Sequence, residues 1–321
     1  MAKRIVFLGS YMHCIFGIGD EIPKTGETVN GSQYIVDYSG KGSSQAMQAT
    51  RMGSDVCYIG RLGNDMEGRV ALQLFKESGL LRDEHIIIDE EHRTGIAIIL
   101  ADSHGDNAIM VIPGANDALT REDLDERTDI IAQADMMCFV FEANQAVSEY
   151  GIKKAHSLGV KTFLDPSPAS PISEDVYPCL TYIKPNEHEA SLLTGISVTD
   201  APSAVHAGRA LLEKGVGNVI ITMGGDGCVL VTPEESLYFN PPQVEVVDST
   251  SAGDVFGGTL VAMLNQGSDL KEAIIYASCA GALATTAISP ITEVLPRREA
   301  VEEKVKEYLQ QPNQIVRIDS V

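Results

Sequence analysis

The sequence lacks the features that mark membrane proteins and nucleic-acid-binding proteins. No apolar run approaches the ~20 residues that are needed to cross a bilayer. Basic residues are few, with 24 Lys and Arg against 45 Asp and Glu, and the formal net charge is -21. Such a charge argues against binding to nucleic acid or to anionic membranes, because phosphate backbones select Lys and Arg surfaces. We therefore predict a small-molecule partner, with no nucleic acid and no membrane.

Several site motifs are also missing. None of the six cysteines forms a CxxC pair, and the seven histidines show no zinc-ligand spacing. Free buried thiols are favoured over disulfides, which predicts a reducing, cytoplasmic location. There is no Walker A sequence, so a P-loop is not predicted. A Rossmann dehydrogenase would need GxGxxG after the first strand, and Gly9, Gly17 and Gly19 have the wrong spacing.

Short apolar runs typical of buried strands alternate with helical patterns along the chain. The predicted strands are Ile5–Leu8, Val56–Ile59, Met136–Phe141, Val160–Leu164, Leu180–Ile183 and Asn218–Thr222. Helical patterns lie between them, as at Ser44–Met52 and Gly68–Lys76. This alternation predicts an α/β fold with a mostly parallel sheet that is covered on both faces.

Two segments depart from the alternation. Residues 11–39 contain no good helix, and residues 94–112 read as two strands, Gly95–Ala101 and Asn107–Ile112. We predict that both segments pair into a small β-sheet outside the main body. Because a small sheet cannot bury both faces alone, it could form a lid over a substrate, a homodimer surface, or both. The main α/β domain would then comprise residues 1–10, 40–93 and 113–321.

The strongest chemical signal is the segment DSTSAGD at residues 248–254. The alternating stretch 244–247 before it predicts a strand, and the apolar stretch 255–264 after it predicts a buried helix. Small residues at such a junction let a phosphate approach backbone N–H groups at the positive end of the helix. Asp254, in the first turn, could take a proton from an attacking hydroxyl. Alternatively, it only stabilises the helix start.

DSTSAGD followed by VFGG resembles the C-terminal signature of the ribokinase-like (PfkB) carbohydrate kinases. Other segments resemble family motifs in the family's order over nearly the whole chain: GET at 26–28 with SGKG at 39–42, DPSPA at 165–169, KPNEHE at 184–189 and TMGGDG at 222–227. The resemblance implies a doubly wound α/β domain with a β-sheet lid. It also implies an ATP-dependent kinase that phosphorylates a hydroxyl of a small sugar or sugar derivative by in-line transfer.

The resemblance implies roles for individual residues. Asp254 would be the catalytic base, and Ala252 and Gly253 would form an anion hole with the Asp254 amide. The other implied sites are nucleotide contacts at Thr222, Gly224, Gly227 and Ser278, magnesium–phosphate placement by Asn186 and Glu189, a K⁺ site at Asp248 and Thr250, and substrate contacts at Gly40, Lys41, Gly42 and Glu142. ATP and Mg²⁺ are thus expected.

Each implied role has a plainer alternative. These alternatives are a helix start with a capping interaction for Asn186 and Glu189, an ordinary turn for Gly224 and Gly227, a solvated strand end for Glu142, and a surface lysine for Lys41. At the level of the whole chain, two rivals to a sugar kinase remain open. One is a nucleoside kinase of the same superfamily, and the other is a ligand-binding regulator that has lost catalysis.

The resemblance weakens where ribokinases proper bind sugar hydroxyls. Met12, Cys14 and Ser44 stand where those enzymes carry Asn, Asp and Asn. A site built to bond a hydroxyl can discriminate by roughly 10⁴-fold against a ligand that lacks it. We therefore predict that ribose is not the best substrate, and that a deoxysugar, a modified sugar or a nucleoside is favoured. The loop 287–290 lacks the glycine usual in ribokinases, which leaves K⁺ activation open.

Overall fold

The computed structural model describes residues 3–80, 85–102, 104, 106–287 and 291–318. Its strands are β1 (Arg4–Leu8), β2 (Met12–Gly19), β3 (Gly31–Ser39), β4 (Asp55–Gly63), β5 (Ile86–Asp89), β6 (Ile96–Ala101), β7 (Asn107–Ile112), β8 (Met136–Val140), β9 (Lys161–Asp165), β10 (Tyr182–Ile183), β11 (Asn218–Thr222), β12 (Cys228–Val231), β13 (Ser236–Phe239) and β14 (Ile315–Arg317). Its helices are α1 (Lys41–Arg51), α2 (Met66–Glu77), α3 (Arg121–Asp125), α4 (Thr128–Ala132), α5 (Gln145–Ser157), α6 (Glu187–Thr194), α7 (Ala201–Glu213), α8 (Ala252–Gln266), α9 (Leu270–Ala284), α10 (Ile291–Val294) and α11 (Arg298–Leu309).

A ten-stranded sheet forms the centre of the main body, in the order β14-β13-β12-β11-β10-β9-β8-β1-β4-β5. The pairs from β11 to β5 are parallel, whereas β12, β13 and β14 join as antiparallel strands. Parallel strands need long crossovers, which the helices supply. The mostly parallel α/β sheet predicted from the sequence is therefore confirmed.

The central sheet is buried on both faces. In β1, Ile5 and Phe7 join one hydrophobic cluster and Val6 and Leu8 join another, and all four side chains are buried. Two-sided burial explains why this strand reads as a continuous apolar run rather than an alternating one. No helix among the described ranges is both long and apolar enough to span a membrane.

The small sheet is a separate four-stranded structure in the order β3-β2-β6-β7. Strand β2 runs antiparallel to β3 and parallel to β6, and β7 closes one edge as an antiparallel strand. It has its own apolar cluster, in which Met12, Cys14, Ala97 and Ile99 are buried. The predicted second sheet is thus present, built from residues of the two segments that depart from the helix–strand alternation.

The strand predicted at 244–247 is wrong, because these residues form no strand. Strand β13 is paired on both sides, with β12 and with β14, so it has no open edge for residues 244–247. Val246 and Val247 are exposed, and the Val247 amide donates instead to the Thr285 carbonyl at 2.8 Å.

Candidate active site

Asp254 lies in the first turn of α8, directly after a sharp change of chain direction. Ser251 precedes the helix in the left-handed conformation, with φ of 64°, which few residues other than glycine adopt. The carboxyl group of Asp254 is withdrawn from water, and this burial raises its pKa to about 6. Lys41 opposes the shift, and the negative charge of Asp165 adds to it. A carboxylate with such a pKa can both exist ionised at neutral pH and accept a proton.

Lys41 is the cation that most strongly opposes the raised pKa of Asp254. The charge of Asp254 is the largest cause that holds the pKa of Lys41 above its ordinary value, followed among the raising causes by Asp165 and Glu142. The side chain is only partly exposed, and it begins α1. Its surroundings therefore favour the interpretation of Lys41 as a site residue over that of a solvated surface lysine.

A chain of buried polar groups connects Asp254 to the rest of the site. The ammonium group of Lys184 lies 2.9 Å from Asp165 Oδ2 and 3.4 Å from the Gly253 carbonyl oxygen. Asp165 Oδ2 also accepts from Gln45 Nε2 at 2.8 Å. The same Nε2 lies 3.3 Å from Asp254 Oδ1. Sequence reasoning assigned no role to Gln45, Asp165 or Lys184, although the last two lie within recognised motifs.

The predicted anion hole is a turn whose amides differ in their partners. The Ala252 amide donates to the Ser249 carbonyl at 3.3 Å, and the Asp254 amide donates to the Ser251 carbonyl at 3.0 Å. Gly253, between them, is exposed. Its backbone can be approached by a phosphate, since it carries no side chain.

In the loop before the turn, the two predicted K⁺ residues are hydrogen-bonded to each other. Asp248 Oδ1 accepts from both the amide and the hydroxyl of Thr250, at 2.9 and 2.7 Å. Residues 288–290 of the second predicted cation segment lie outside the described residues. Among the residues that the structure describes, no three His, Cys, Asp or Glu side chains cluster as a metal site would require.

A cavity of about 620 Å³ opens beside the start of α8. Its lining includes these predicted site residues: Asn186, Thr222, Gly224, Gly227, Ser278, Ala252 and Gly253. The predicted nucleotide residues, which are far apart in sequence, therefore meet in one cavity that also reaches the anion-hole turn. Gly224 and Gly227 adopt positive φ angles of 53° and 81° in a turn that connects β11 to β12. The ordinary-turn alternative describes their backbone, but the turn also forms a wall of the cavity.

Asn186 and Glu189 form a capping box at the start of α6. The Asn186 side chain accepts from the Glu189 amide at 2.8 Å, and the Glu189 carboxylate accepts from the Asn186 amide at 2.9 Å. The capping alternative thus describes their bonds correctly. Asn186 nevertheless also lines the cavity, whereas Glu189 is buried.

Glu142 holds the start of α1. Its Oε2 accepts from the Lys41 amide at 2.7 Å and from the hydroxyl of Ser10. It therefore caps α1 rather than ending a strand in solvent, and its charge suits a helix N-terminus. Gly40 precedes the helix with φ of 121°, and a side chain there would meet the Ser10 carbonyl oxygen at 2.6 Å. Gly42 is needed for a similar reason, because a Cβ would meet the Ser10 amide at 2.9 Å.

The three residues that depart from ribokinases proper are all buried. Met12 and Cys14 pack in the apolar cluster of the small sheet, and the Cys14 sulfur lies 3.2 Å from the Ser39 hydroxyl. Ser44 lies one turn into α1 and its buried hydroxyl has no hydrogen-bond partner. Two of the three positions therefore present apolar or weakly polar surface where those enzymes have polar groups.

Known proteins resemble this chain over most of its length. A family model described as pfkB family carbohydrate kinase matches residues 2–298. The bifunctional ribokinase/ribose-5-phosphate isomerase A of Fructilactobacillus sanfranciscensis is 36% identical over 304 residues, which is 93% of this chain and 55% of that protein. This chain thus spans about half of that relative. The ribokinase of Mus musculus is 34% identical over 262 residues, 81% of each chain.

A solved structure supports the same relationship. The structure of Arabidopsis thaliana ribokinase complexed with ribose and ATP superposes with a TM-score of 0.89 at 26% identity, covering 95% of this chain and 99% of that one. Together with the family match, the shared fold and the mouse relative leave one assignment. The chain belongs to the pfkB family of carbohydrate kinases, and it is an ATP-dependent sugar kinase.

Proposed function

We propose that Asp254 is the base that takes the proton from the sugar hydroxyl during direct in-line transfer of the γ-phosphoryl group. The single observation that carries this proposal is the position of Asp254. It is a carboxylate withdrawn from water, with a pKa of about 6, and it is the third residue of α8. The two residues before it, Ala252 and Gly253, line the cavity. Lys41 interacts with it electrostatically, and closure of the site around the substrates would exclude water, which would otherwise compete as the acceptor.

The cavity is proposed to hold ATP. Its adenine end would lie towards Ser278, with Thr222, Gly224 and Gly227 along the nucleotide and the phosphates near the Ala252–Asp254 turn. Magnesium would enter with ATP and neutralise charge on the phosphates. Asn186, which lines the cavity, fits this placement directly. Glu189 fits it by fixing Asn186 through the capping box and by adding negative charge near Lys41.

The acceptor is proposed to be a sugar or sugar derivative with fewer polar groups than ribose. Gly40, Lys41, Gly42 and Glu142 lie together at the start of α1, on the Asp254 side of the site. Met12 and Cys14 contribute buried apolar surface from the small sheet, which we propose acts as the lid. Met12 cannot replace the bonds that an Asn gives to a sugar hydroxyl, and the Cys14 thiol bonds hydroxyls only weakly.

A panel of acceptors tests this proposal. ADP release would be measured with D-ribose, 2-deoxy-D-ribose, other pentoses and hexoses, and nucleosides, with ATP alone as the background. We expect a deoxysugar or modified sugar to exceed D-ribose in kcat/KM. Strong selectivity for D-ribose would contradict the substrate proposal. The strongest acceptor would then be assayed in KCl and in tetramethylammonium chloride, because Asp248 and the Thr250 carbonyl are proposed to bind K⁺.

The same panel separates the rival functions. A nucleoside kinase would release ADP with nucleosides and not with free sugars. A ligand-binding regulator would release none with any acceptor while still binding ATP or a sugar. Because the chain belongs to a family of carbohydrate kinases, and because Asp254 and Lys41 interact electrostatically, we expect ADP release with a free sugar.

We further propose that the protein is a cytoplasmic homodimer formed through the small sheet. Strand β7 is an edge strand with every residue exposed, including Ile109, Met110, Val111 and Ile112. An apolar edge strand is an aggregation hazard unless another chain covers it, and a second copy is the proposed cover. The cytoplasmic location is supported by the cysteines, because all six are free thiols.

A further inference from the structure

Gln45 is a buried side chain in α1 that lies between two carboxylates. Its Nε2 donates to Asp165 Oδ2 at 2.8 Å and reaches Asp254 Oδ1 at 3.3 Å. An amide nitrogen has two hydrogens, and ionised carboxylates only accept, so the two acceptors together fix the orientation of the amide. Its own Oε1 is buried without a hydrogen-bond partner. The orientation is therefore set by the carboxylates and by no donor to the amide oxygen.

The glycines of the VFGG segment bring this side chain within reach of Asp254. A Cβ at Gly258 would lie 2.4 Å from the Gln45 carbonyl oxygen and 2.9 Å from Gln48 Cβ. Such contacts are too close for ordinary packing, so α1 can approach α8 this closely only because Gly258 carries no side chain. Gly257 adds room for the Gln45 amide, since a Cβ there would lie 3.1 Å from Gln45 Oε1. The glycines of the VFGG segment are thus explained by the close packing of α1 against α8 rather than by phosphate binding.

We propose that Gln45 is a positioning residue for the base. Its Nε2 holds Asp254 through Oδ1 and so leaves Oδ2 for the acceptor hydroxyl. By donating to both carboxylates, it also helps Asp165 and Asp254 to remain ionised next to each other. This inference rests on the role proposed above for Asp254. Gln45 acts through that carboxylate and is not itself given any contact with substrate.

The charges around Asp254 decide the sign of the expected effect. The charged groups that act on it are Lys41 at the start of α1, Glu142 after β8, Asp165 at the end of β9 and Lys184 after β10. The carboxylates favour the protonated form of Asp254, and the lysines favour the ionised form. Gln45 donates to the ionised form and therefore acts with the lysines. Removing the amide should raise the pKa of Asp254.

Gln48 offers a matched control one turn further along α1. It is also fully buried, and its Nε2 donates to Thr259 Oγ1 of α8 at 3.1 Å and to the Pro296 carbonyl at 3.4 Å. Gln45→Met and Gln48→Met thus remove the same kind of buried amide from the same helix interface. Only the first removes a donor to a carboxylate of the site.

The titration of Asp254 can be followed without any sugar. In protein labelled with ¹³C at the Asp carboxyl carbons, the signal that disappears in Asp254→Asn identifies the base. We expect its titration midpoint to rise by roughly one pH unit in Gln45→Met and to stay in place in Gln48→Met. An unchanged midpoint in Gln45→Met, or an equal rise in both variants, would overturn the proposal. Gln45→Asn, which keeps an amide but cannot span both carboxylates, gives the same test if Gln45→Met fails to fold.

Kinetics with 2-deoxy-D-ribose and with D-ribose provide the second readout. With whichever of the two is phosphorylated, kcat should fall about tenfold or more in Gln45→Met while KM changes little, and the acid side of the pH profile should move to higher pH. If Asp254→Asn keeps full turnover, the proposed base is wrong, and the NMR titration still judges the contact between Gln45 and Asp254. A normal pH profile in Gln45→Met beside an inactive Asp254→Asn would overturn the positioning role alone.

Discussion

Asp254 is held between burial, which favours its neutral form, and lysines, which favour its ionised form. Burial dominates, and the resulting pKa of about 6 lies above the ordinary value for Asp. A base must be ionised to accept a proton, so the active form is lost as the pH falls through this value. The carboxylate therefore stays usable at neutral pH but not far below it.

The pH dependence follows directly. We expect kcat/KM for the sugar to be constant above about pH 7 and to fall roughly tenfold for each pH unit well below 6. Steady-state ADP release at constant ionic strength measures this profile. The affinity for ATP, measured over the same pH range, is the control. It distinguishes protonation of the nucleotide from protonation of Asp254. A rate that stays constant down to pH 5 would contradict a base with a raised pKa.

At the residue scale, the sequence predicted the proposed base but not the polar side chains that lie around it. DSTSAGD is a continuous motif, so Asp254 and its turn could be found from neighbouring residues. Gln45 is separated from Asp254 by 209 positions and from Asp165 by 120. Such contacts depend on how α1 packs against α8, and no spacing rule within one sequence reports that packing. Lys184 lies inside a motif that the sequence shows, but its ion pair with Asp165 appears only in the structure.

At the scale of elements, a substitution at the start of α6 can distinguish helix capping by Glu189 from its proposed role in phosphate placement. Glu189→Gln keeps an oxygen that can accept from the Asn186 amide, so the capping box should survive. The substitution removes the negative charge that is proposed to help place the magnesium–phosphate group. We expect an unchanged melting temperature and a loss of about tenfold or more in kcat/KM for ATP with magnesium.

Thermal unfolding and ATP-dependent kinetics of Glu189→Gln decide between the two roles. Asn186→Ala serves as the comparison, since it removes the cap itself and should lower stability by about 1 kcal/mol. If Glu189→Gln is as active as the unaltered protein, Glu189 acts only as a helix cap. Loss of stability without loss of activity would lead to the same conclusion.

Strands could be predicted from the sequence where burial causes their hydrophobic pattern. They could not be predicted where a similar pattern arises without burial. The strands β1 and β8 are apolar because both faces are covered, and the sequence shows it. Residues 244–247 carry an alternating pattern without burial, so the pattern has no packing cause. Val244 and Val246 line the cavity, and Val246 and Val247 are exposed at the surface.

At the scale of the whole molecule, the alternation of strands and helices was sufficient to predict the parallel sheet. The small sheet was also predictable, because its segments lack helical periodicity. What the sequence could not give is the order of β3-β2-β6-β7, in which β2 pairs in parallel with a strand far along the chain. That order leaves β7 at an edge, where its apolar side chains stay exposed.

The proposed dimer makes a prediction about this edge. Met110→Lys should convert the protein to a monomer, because a buried charge at the centre of an interface is costly. Met66→Lys is the matched control, since Met66 is exposed to a similar extent, 68% against 62%, but lies on α2 of the main body. Analytical ultracentrifugation of both variants and of the unaltered protein measures the mass. A monomeric unaltered protein, or a dimer that survives Met110→Lys, would contradict the interface.

Asp254, at the start of α8, is proposed to remove the proton of the acceptor hydroxyl in a site that binds ATP without help from this carboxylate. Asp254→Asn separates the two functions when single-turnover phosphoryl transfer and calorimetric ATP binding are measured on the same preparation. We expect ATP affinity within about twofold of the unaltered protein and transfer slower by about 10²–10⁴-fold. Transfer at the normal rate with normal ATP binding would show that Asp254 is not the base.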